Sequence, residues 1–273
     1  MSRKASTRVD LLPAQRHALI LELLRDFKAV SIQDLADRLD ASLSTVRRDL
    51  VYLTDQGYLA RTHGGAVSRS VPAARFEPEP SISAELARDQ KRLIAAEAAR
   101  RVKAGQSLLF DASSTIQALA RCLANAQMSL TVVTNDLNTA GILRQVAAIE
   151  TIVTGGTVRA GSAILTGIPG DMFLTTIHVD IAFIGVHTIS GAAFTETALD
   201  VAEMKRRMIK AATRVIVLAD SSKFGPASFC EICRISDVHE VITDSGATPD
   251  QIDSIRAAGT LCSVVDMDSR QDH

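Results

Sequence analysis

Two adjacent arginines and a group of hydroxyl side chains form the first cluster in the sequence with a recognisable chemistry. Arg47 and Arg48 follow closely on Ser42, Ser44 and Thr45. A guanidinium can donate two hydrogen bonds to one guanine edge, and hydroxyls and helix N-terminal amides can bond phosphate oxygens. On an exposed helix, this cluster predicts contact with the major groove of DNA. A solvated, charged helix face is the alternative interpretation.

A second set of polar residues follows five short apolar runs later in the chain. Carboxylate and amide groups can bond hydroxyls, an ammonium group or helix N-terminal amides can hold an anion, and glycines allow close backbone approach. Together these groups predict a site for a small phosphorylated sugar or polyol. For Ser113–Thr115 alone, simple N-capping of a helix is the alternative. The residues in these positions are Asp111, Ser113, Ser114, Thr115, Thr134, Asn135, Asp136, Gly155, Gly156, Gly185, His187 and Lys223.

The arginines are predicted to lie on the second helix of a helix-turn-helix. Ser31 is a good N-cap for a first short helix, and Ser42 caps the second. Val46, Leu50 and Leu53 then share one side of that helix and should anchor it to its neighbour. Ser44, Arg48, Val51 and Tyr52 should point away from this core, with Thr45 and Arg47 on the flanks.

A basic hairpin is expected directly after the second helix. Gly57 suits the end of the helix, Tyr58 to Arg61 is typical of a strand, and Ala66 to Ser68 can return as a second strand. Together with an amphipathic helix that begins near Pro13, these elements predict a winged helix. The candidate DNA-contacting residues are Gln33, Ser42, Ser44, Thr45, Arg47, Arg48, Tyr52, Arg61, His63 and Gly64.

The larger part of the chain alternates apolar runs with helical patterns. Such alternation predicts a Rossmann-like α/β domain with a mostly parallel sheet covered on both faces. In open α/β sheets ligands bind at the carboxyl ends of the strands, so the polar residues after the runs should converge on one pocket. The segment Thr157 to Val179 is less periodic and is left unassigned. The predicted strands are Ser107–Phe110, Leu130–Val133, Ile149–Val153, Ile181–Ile184, Val215–Ala219, Glu240–Thr243 and Leu261–Val265.

Charge and composition support a division into two domains. Residues 1–75 contain 12 Lys and Arg against 8 Asp and Glu, a net charge of +4, whereas the remainder carries −5. Prolines and glutamates after residue 69 predict an extended linker with the boundary near residue 75. We therefore predict a DNA-binding domain at 1–72, a linker at 73–88 and an α/β domain at 89–268.

Several other classes of protein and site are disfavoured. No apolar run is long enough for a membrane helix and the N-terminal residues are not of the secretory type, so a cytoplasmic protein is expected. Cys230 and Cys233 have the spacing of half a zinc site or a redox pair, but no second Cys or His pair accompanies them. We favour partly buried thiols and predict no metal and no cofactor.

Both predicted domains resemble those of DeoR-family bacterial transcriptional regulators. The resemblance lies in Ser42 to Leu50 and Arg61 to Ala66, and in the strand-end residues of the larger domain, together with Glu203, Lys205 and the segment Asp220 to Gly225. It implies an effector domain related in fold to pentose-phosphate isomerases that senses a phosphorylated sugar or a catabolic intermediate. It also adds Glu203 and Lys205 to the candidate effector-binding residues.

Two functions from different classes remain at this point. In the first, the protein is a repressor of a carbohydrate-catabolic operon whose affinity for double-stranded operator DNA depends on the effector, and it acts as a homodimer or tetramer. In the second, Asp111, Glu203 and Lys223 serve an isomerase or hydrolase, although no nucleophile–base pair or metal motif is apparent. An RNA-binding role has little support, because aromatic residues make up only 4% of the chain.

Overall fold

The computed structural model describes residues 11–68, 74 and 76–266. Among these, residues 11–68 and 78–86 form one compact unit, and residues 74, 76–77 and 87–266 form a second, larger one. The predicted boundaries at 72, 73 and 268 lie outside the described residues. No helix in the described ranges is long and apolar enough to cross a membrane.

The smaller unit is a winged helix. Its first three helices pack around buried side chains that include Ile20, Leu35, Leu50 and Leu53. The helical spacing of these residues explains why they share one core. The elements are α1 (Pro13–Phe27), β1 (Ala29–Ser31), α2 (Ile32–Arg38), α3 (Leu43–Asp55), β2 (Leu59–Arg61), β3 (Gly65–Ser68) and α4 (Pro80–Glu85).

Two elements of this unit are absent from the sequence prediction. The strand β1 pairs with β3, which also pairs with β2, so the predicted hairpin belongs to a three-stranded antiparallel sheet. The helix α4 lies in the segment that we predicted to be an extended linker, and that prediction is wrong here. Pro80 stands in the first turn of α4, where it removes no helical hydrogen bond, so this proline begins a helix.

The larger unit is built on a seven-stranded parallel sheet. In chain order, the elements of its first half are α5 (Arg88–Ala99), β4 (Ser107–Phe110), α6 (Ser114–Ala126), β5 (Leu130–Thr134), α7 (Leu137–Leu143), β6 (Ile149–Val153), β7 (Thr157–Val158), β8 (Leu165–Thr166) and α8 (Gly170–Phe173). Those that follow are β9 (Val179–Gly185), β10 (Thr188–Ser190), β11 (Ala193–Glu196), α9 (Leu199–Lys210), β12 (Ala212–Leu218), β13 (Cys230–Arg234), β14 (Glu240–Asp244), α10 (Pro249–Ala257) and β15 (Leu261–Val265).

The sheet contains all seven predicted strands in the order β15-β14-β12-β9-β4-β5-β6, and every pairing is parallel. Separate apolar clusters cover its two faces. Leu109, Ala182 and Val217 belong to one cluster, and Leu108, Phe183 and Ile216 belong to the other. The predicted fold class, a winged helix followed by a Rossmann-like α/β domain, is confirmed.

A second, smaller sheet and a hairpin complete the larger unit. Strands β10, β11 and β13 form an antiparallel sheet that the sequence analysis did not predict. The unassigned segment Thr157 to Val179 contains the short hairpin of β7 and β8 and the single turn of α8. These short, irregular elements explain why this segment has no clear periodicity.

Candidate nucleic-acid interface and ligand site

The N-terminus of α3 carries a cluster of hydroxyl groups. Ser42 caps the helix, because its Oγ accepts a hydrogen bond of 3.1 Å from the amide of Thr45. The same Oγ lies 2.8 Å from Oγ of Ser44 and 2.8 Å from Oγ1 of Thr45. Ser42 and Ser44 are exposed and Thr45 is partly buried. Exposed hydroxyls at the positive end of a helix can bind a phosphate oxygen.

Arg47 and Arg48 project from α3 into solvent. Both are exposed, and neither makes an ion pair or a hydrogen bond with any residue that the structure describes. Val51, one turn further along, is also exposed, as predicted. Guanidinium groups without an intramolecular partner keep their donors for a groove or a phosphate.

The wing places further polar residues on the surface. Arg61, His63 and Gly64 are exposed, and the turn is closed by a 3.0 Å hydrogen bond from the amide of Thr62 to the carbonyl of Gly65. A side chain at Gly65 would meet the carbonyl of Val30, so a glycine is required where β3 approaches β1.

Gln33 lies on α2 and is also exposed. Its Nε2 donates a 3.1 Å hydrogen bond to Oδ1 of Asp37, on the same helix. This bond holds the amide group along the helix surface and leaves its oxygen as an acceptor.

Tyr52 does not point away from the core of the unit, so that prediction is wrong. Its ring stacks on His17 of α1 with centroids 4.8 Å apart, and its hydroxyl donates a hydrogen bond to the carboxylate of Glu79. The partly buried ring packs against the core because a long aromatic side chain leans back over the preceding turn of its helix. We therefore remove Tyr52 from the candidate interface.

Asp49, between the arginines and the core, was not singled out from the sequence. Its buried carboxylate lies 2.9 Å from Nε of Arg16 and 2.9 Å from Nε2 of His17. Burial by itself would raise the pKa of Asp49, but the hydrogen bonds from His17 and Arg16 outweigh it and lower the pKa. This ion pair fastens the recognition helix α3 to α1.

In the larger unit, the predicted polar residues follow strands that end at one edge of the sheet. Phe110 of β4 is in register with Thr134 of β5, so Asp111 and Asn135 emerge side by side. Both side chains are buried. Oδ1 and Oδ2 of Asp111 and Oδ1 of Asn135 have no hydrogen-bond donor among the described residues, whereas Nδ2 of Asn135 bonds the carbonyl of Leu165.

A buried lysine lies between two carboxylates at the same edge. Nζ of Lys205, on α9, is 2.5 Å from Oε2 of Glu196, 3.3 Å from Oδ2 of Asp111 and 2.9 Å from the carbonyl oxygen of Gly185. The contact with Asp111 is a buried ion pair. The predicted residues Asp111, Gly185 and Lys205 are thus brought together.

The charges of this group shift one another's ionisation. Burial raises the pKa of Asp111 to about 6, although the ammonium of Lys205 acts in the opposite direction. For Lys205, burial would lower the pKa, but the charges of Glu196 and Asp111 outweigh it and raise the pKa above its usual range. Glu196 keeps a lowered pKa despite its burial, because Lys205 neutralises it.

Ser113 lies against Gly185 at the start of α6. Oγ of Ser113 accepts a 3.2 Å hydrogen bond from the amide of Ile116, so it caps α6, whose first turn also contains Ser114 and the buried Thr115. A side chain at Gly185 would come within 2.5 Å of that Oγ. The capping alternative for Ser113 is therefore realised in the structure.

Four predicted ligand residues have structural contacts of their own. The carboxylate of Asp136 accepts bonds from the amides of Asn138 and Thr139, from Oγ1 of Thr139 and from Nε2 of Gln117. Thr134 accepts from the amide of Asp136. Gly155 and Gly156 pack closely against other residues of the protein. A side chain at Gly155 would contact Pro169, and one at Gly156 would meet the carbonyl of Thr166.

Glu203 does not belong to this group, which corrects a prediction. It lies on the outer face of α9, half exposed, and pairs with Arg206 at 2.9 Å and Arg207 at 3.1 Å. Residues two positions apart on a helix do not share a face, so Lys205 can face the core only if Glu203 faces outward.

His187 and Lys223 extend from the same edge of the sheet. His187 follows β9, and Lys223 lies in a short turn at residues 221–223 after β12. Burial and the positive charge of Lys223 lower the pKa of His187, which favours the neutral imidazole. Both side chains are partly buried.

Glu196 is the residue of this group that sequence reasoning missed. Its position depends on β11, a strand of the unpredicted antiparallel sheet. The sequence signal that could have found it is the polar pair Glu196-Thr197, shortly before α9. In the structure, Oε1 of Glu196 accepts a 2.9 Å hydrogen bond from the amide of Thr197.

Cys230 and Cys233 both lie on β13 and are half buried, and neither is in a disulfide. Sγ of Cys230 donates to the carbonyl of Glu196. Within the described ranges, no group of three or more His, Cys, Asp or Glu side chains could hold a metal ion.

Models of known protein families match both the winged helix and the larger α/β unit. Residues 16–71 match the DeoR-like helix-turn-helix domain, and residues 86–245 match the DeoR C terminal sensor domain. The chain belongs to the DeoR family of transcriptional regulators. This DeoR-family chain is a DNA-binding regulator with a separate sensor domain.

The chain is also similar to individual proteins and to solved structures. The chain is 30% identical over 247 residues to the putative aga operon transcriptional repressor of Escherichia coli O157:H7, covering 90% of this chain and 91% of that protein. It is 29% identical to the glycerol-3-phosphate regulon repressor of Haemophilus influenzae, covering 87% and 91%. A ribose 5-phosphate isomerase A from Methanocaldococcus jannaschii matches 51% of this chain and 55% of its own, with 19% identity and a TM-score of 0.39.

Proposed function

We propose that this DeoR-family regulator represses a carbohydrate-catabolic operon and that a phosphorylated sugar or polyol controls its affinity for the operator. The single observation that carries the ligand class is the buried pair of Asp111 and Asn135, in which Oδ1 of Asn135 has no donor among the described residues and Oδ2 of Asp111 meets only the ammonium of Lys205, 3.3 Å away. A buried acceptor without a donor costs free energy, and the hydroxyl groups of a bound polyol would supply the missing hydrogen bonds.

The anionic part of the ligand is proposed to lie toward α6 and Lys223. The first turn of α6 offers amides that have no partner within the helix, and the ammonium of Lys223 adds a positive charge from the tip of β12. A relative that represses a glycerol-3-phosphate regulon supports the same ligand class.

The proposed DNA interface consists of the residues that the structure leaves exposed on α2, α3 and the wing. We propose that Arg47 and Arg48 enter the major groove, while the hydroxyls and the wing contact phosphates. A homodimer or tetramer is proposed because paired winged helices on two half-sites raise affinity. Operator DNA also implies a cytoplasmic location. The proposed contact residues are Gln33, Ser42, Ser44, Thr45, Arg47, Arg48, Arg61, His63 and Gly64.

We propose that the buried carboxylates bind the ligand and do not turn it over. Asp111 and Glu196 share one lysine, and Glu196 is fully engaged by Lys205 and by the amide of Thr197. Turnover of a sugar phosphate by the purified protein would contradict this assignment.

A thermal-shift panel of sugar phosphates and polyol phosphates tests the ligand class. A compound that binds only the native state raises the melting temperature. At one hundred times its Kd, it adds about 2.7 kcal/mol to the free energy of unfolding. Asp111→Asn should weaken binding of the best compound, so that its shift at the same concentration is smaller. If no member of the panel shifts the melting temperature, the proposed ligand class is wrong.

A further inference from the structure

Helix α4 packs as part of the DNA-binding unit although it follows the wing by more than ten residues in the sequence. Its Ile82 is fully buried in the same apolar cluster as Ile20 and Leu24 of α1, and Leu86 packs against that cluster. The winged helix is therefore completed by a segment that lies outside both of its sequence motifs.

Both tyrosines of the chain form hydrogen bonds with Glu79, the residue immediately before α4. The hydroxyl of Tyr52, from the recognition helix α3, donates to the carboxylate of Glu79. The hydroxyl of Tyr58, immediately before the wing strand β2, accepts a 2.6 Å hydrogen bond from the amide of Glu79. The bond to Glu79 raises the pKa of Tyr52 to about 12, so the proton stays on the tyrosine.

The other end of α4 leads almost directly into the larger unit. Only Leu86 and Ala87 separate it from α5, the first helix of that unit. Ala87 is buried and has a left-handed φ of 50°, and α5 buries Ile94 and Ala98 in the core of the sheet. The segment that completes the winged helix is therefore joined to the larger unit by two residues.

We propose that Glu79 is a positioning residue for DNA recognition, and that residues 78–87 carry ligand-dependent changes of the larger unit to α3 and to the wing. The proposal deepens the proposed function and rests on it, since it names the route by which the ligand alters operator affinity. Glu79 touches no DNA in this scheme. It holds the recognition helix and the wing in one arrangement through the two tyrosine hydroxyls.

The deciding experiment compares Tyr52→Phe and Glu79→Ala with Ser81→Ala in the full-length protein. Tyr52→Phe removes only the hydroxyl and keeps the ring that stacks on His17, while Ser81 is an exposed residue of the same helix α4. Affinity is measured for a duplex that the wild-type protein selects from a random library and for an unselected duplex at the same salt concentration.

Tyr52→Phe and Glu79→Ala, each of which removes one partner of the Tyr52–Glu79 hydrogen bond, should lower the ratio of selected to unselected affinity by about fivefold or more, with the unselected affinity and the melting temperature nearly unchanged. Ser81→Ala should match the wild type. A purely structural role would lower the melting temperature and leave the ratio intact, which would overturn the proposal. If the wild type itself selects no sequence, the proposed function fails instead.

Tyrosine emission supplies a second readout, because the chain has two tyrosines and no tryptophan. Glycerol-3-phosphate and ribose-5-phosphate serve as probes, and a probe that raises the melting temperature should also change the emission of the wild type and the operator affinity. A probe that binds but changes neither would refute the route through Glu79 while leaving ligand binding intact.

Discussion

The charged groups of the two units are arranged in opposite ways. On the winged helix, Arg47 and Arg48 are exposed and have no partner in the described chain, whereas in the larger unit Lys205 is buried between Glu196 and Asp111. Exposed charges act over a distance and are screened by salt, while buried charges depend on close geometry and on protonation. The first arrangement suits a polyanionic duplex, and the second suits one small ligand.

The largest expected effect comes from removing the buried cation. Lys205→Met leaves two carboxylates in a desolvated site, and losing one partner of a buried ion pair costs about 3–5 kcal/mol of unfolding free energy. The melting temperature should fall by roughly 10 °C in calorimetry. Lys210→Met, at an exposed position of the same helix, is the matched control. Equal losses in the two variants would mean that the buried group does not stabilise the unit.

Arg48→Ala tests the role of the exposed charges on the winged helix. This change should weaken binding to the selected operator by about 1–3 kcal/mol if Arg48 contacts a base, with no change in melting temperature. Arg25→Ala, on the exposed surface of α1, controls for a general loss of positive charge. Fluorescence anisotropy across a salt series gives both affinities. A loss shared equally by the two variants would contradict base contact by Arg48.

The buried site should respond to pH through Asp111. With a pKa of about 6 against an ordinary value of 3.8, folded Asp111 holds its proton more tightly than the unfolded chain does, so its contribution to stability falls as pH rises through this window. Ligand hydroxyls that donate to Asp111 favour its ionised form, so ligand affinity should weaken by up to about tenfold per pH unit below 6.

Calorimetric titration of the best sugar phosphate at several pH values measures that dependence. In Asp111→Asn, any remaining pH dependence belongs to the phosphate group, whose second ionisation lies near pH 6. An identical pH profile in the variant would show that Asp111 does not face the ligand.

The smallest expected effect concerns the cap of α6. Ser113→Ala removes the oxygen that accepts the amide of Ile116 and should cost about 1 kcal/mol, whereas Ser113→Gly should cost only a few tenths. Chemical denaturation resolves the difference. If Ser113→Gly also tightens sugar phosphate binding, the side chain limits the space above Gly185.

The sequence predicts this molecule best where local patterns agree with the global fold. All seven strands of the parallel sheet were found because buried parallel strands are short apolar runs between helices, and Ser107–Phe110, Ile149–Val153 and Leu261–Val265 were predicted to the residue. The capping serines Ser31 and Ser42 were recognised from their side-chain chemistry alone.

Two of the failures share a physical cause, which is that the deciding contact is distant in sequence. Tyr52 turns inward because it contacts Glu79 and His17, and Glu196 reaches Lys205 because a strand of the small antiparallel sheet positions it. Glu203 was grouped with Lys205 because of the resemblance to the DeoR family, although helical geometry separates their faces. The helix α4 was missed because prolines and glutamates are typical of linkers as well as of helix starts.

The most direct test of the account is one titration of operator DNA with full-length protein, performed with and without the sugar phosphate that most raises the melting temperature. We predict sequence-selective, salt-sensitive binding whose Kd changes by about fivefold or more when the ligand is present. Binding without sequence preference, or an operator Kd that the bound ligand leaves unchanged, would contradict the assignment of a DNA-reading unit controlled by a sugar phosphate sensor.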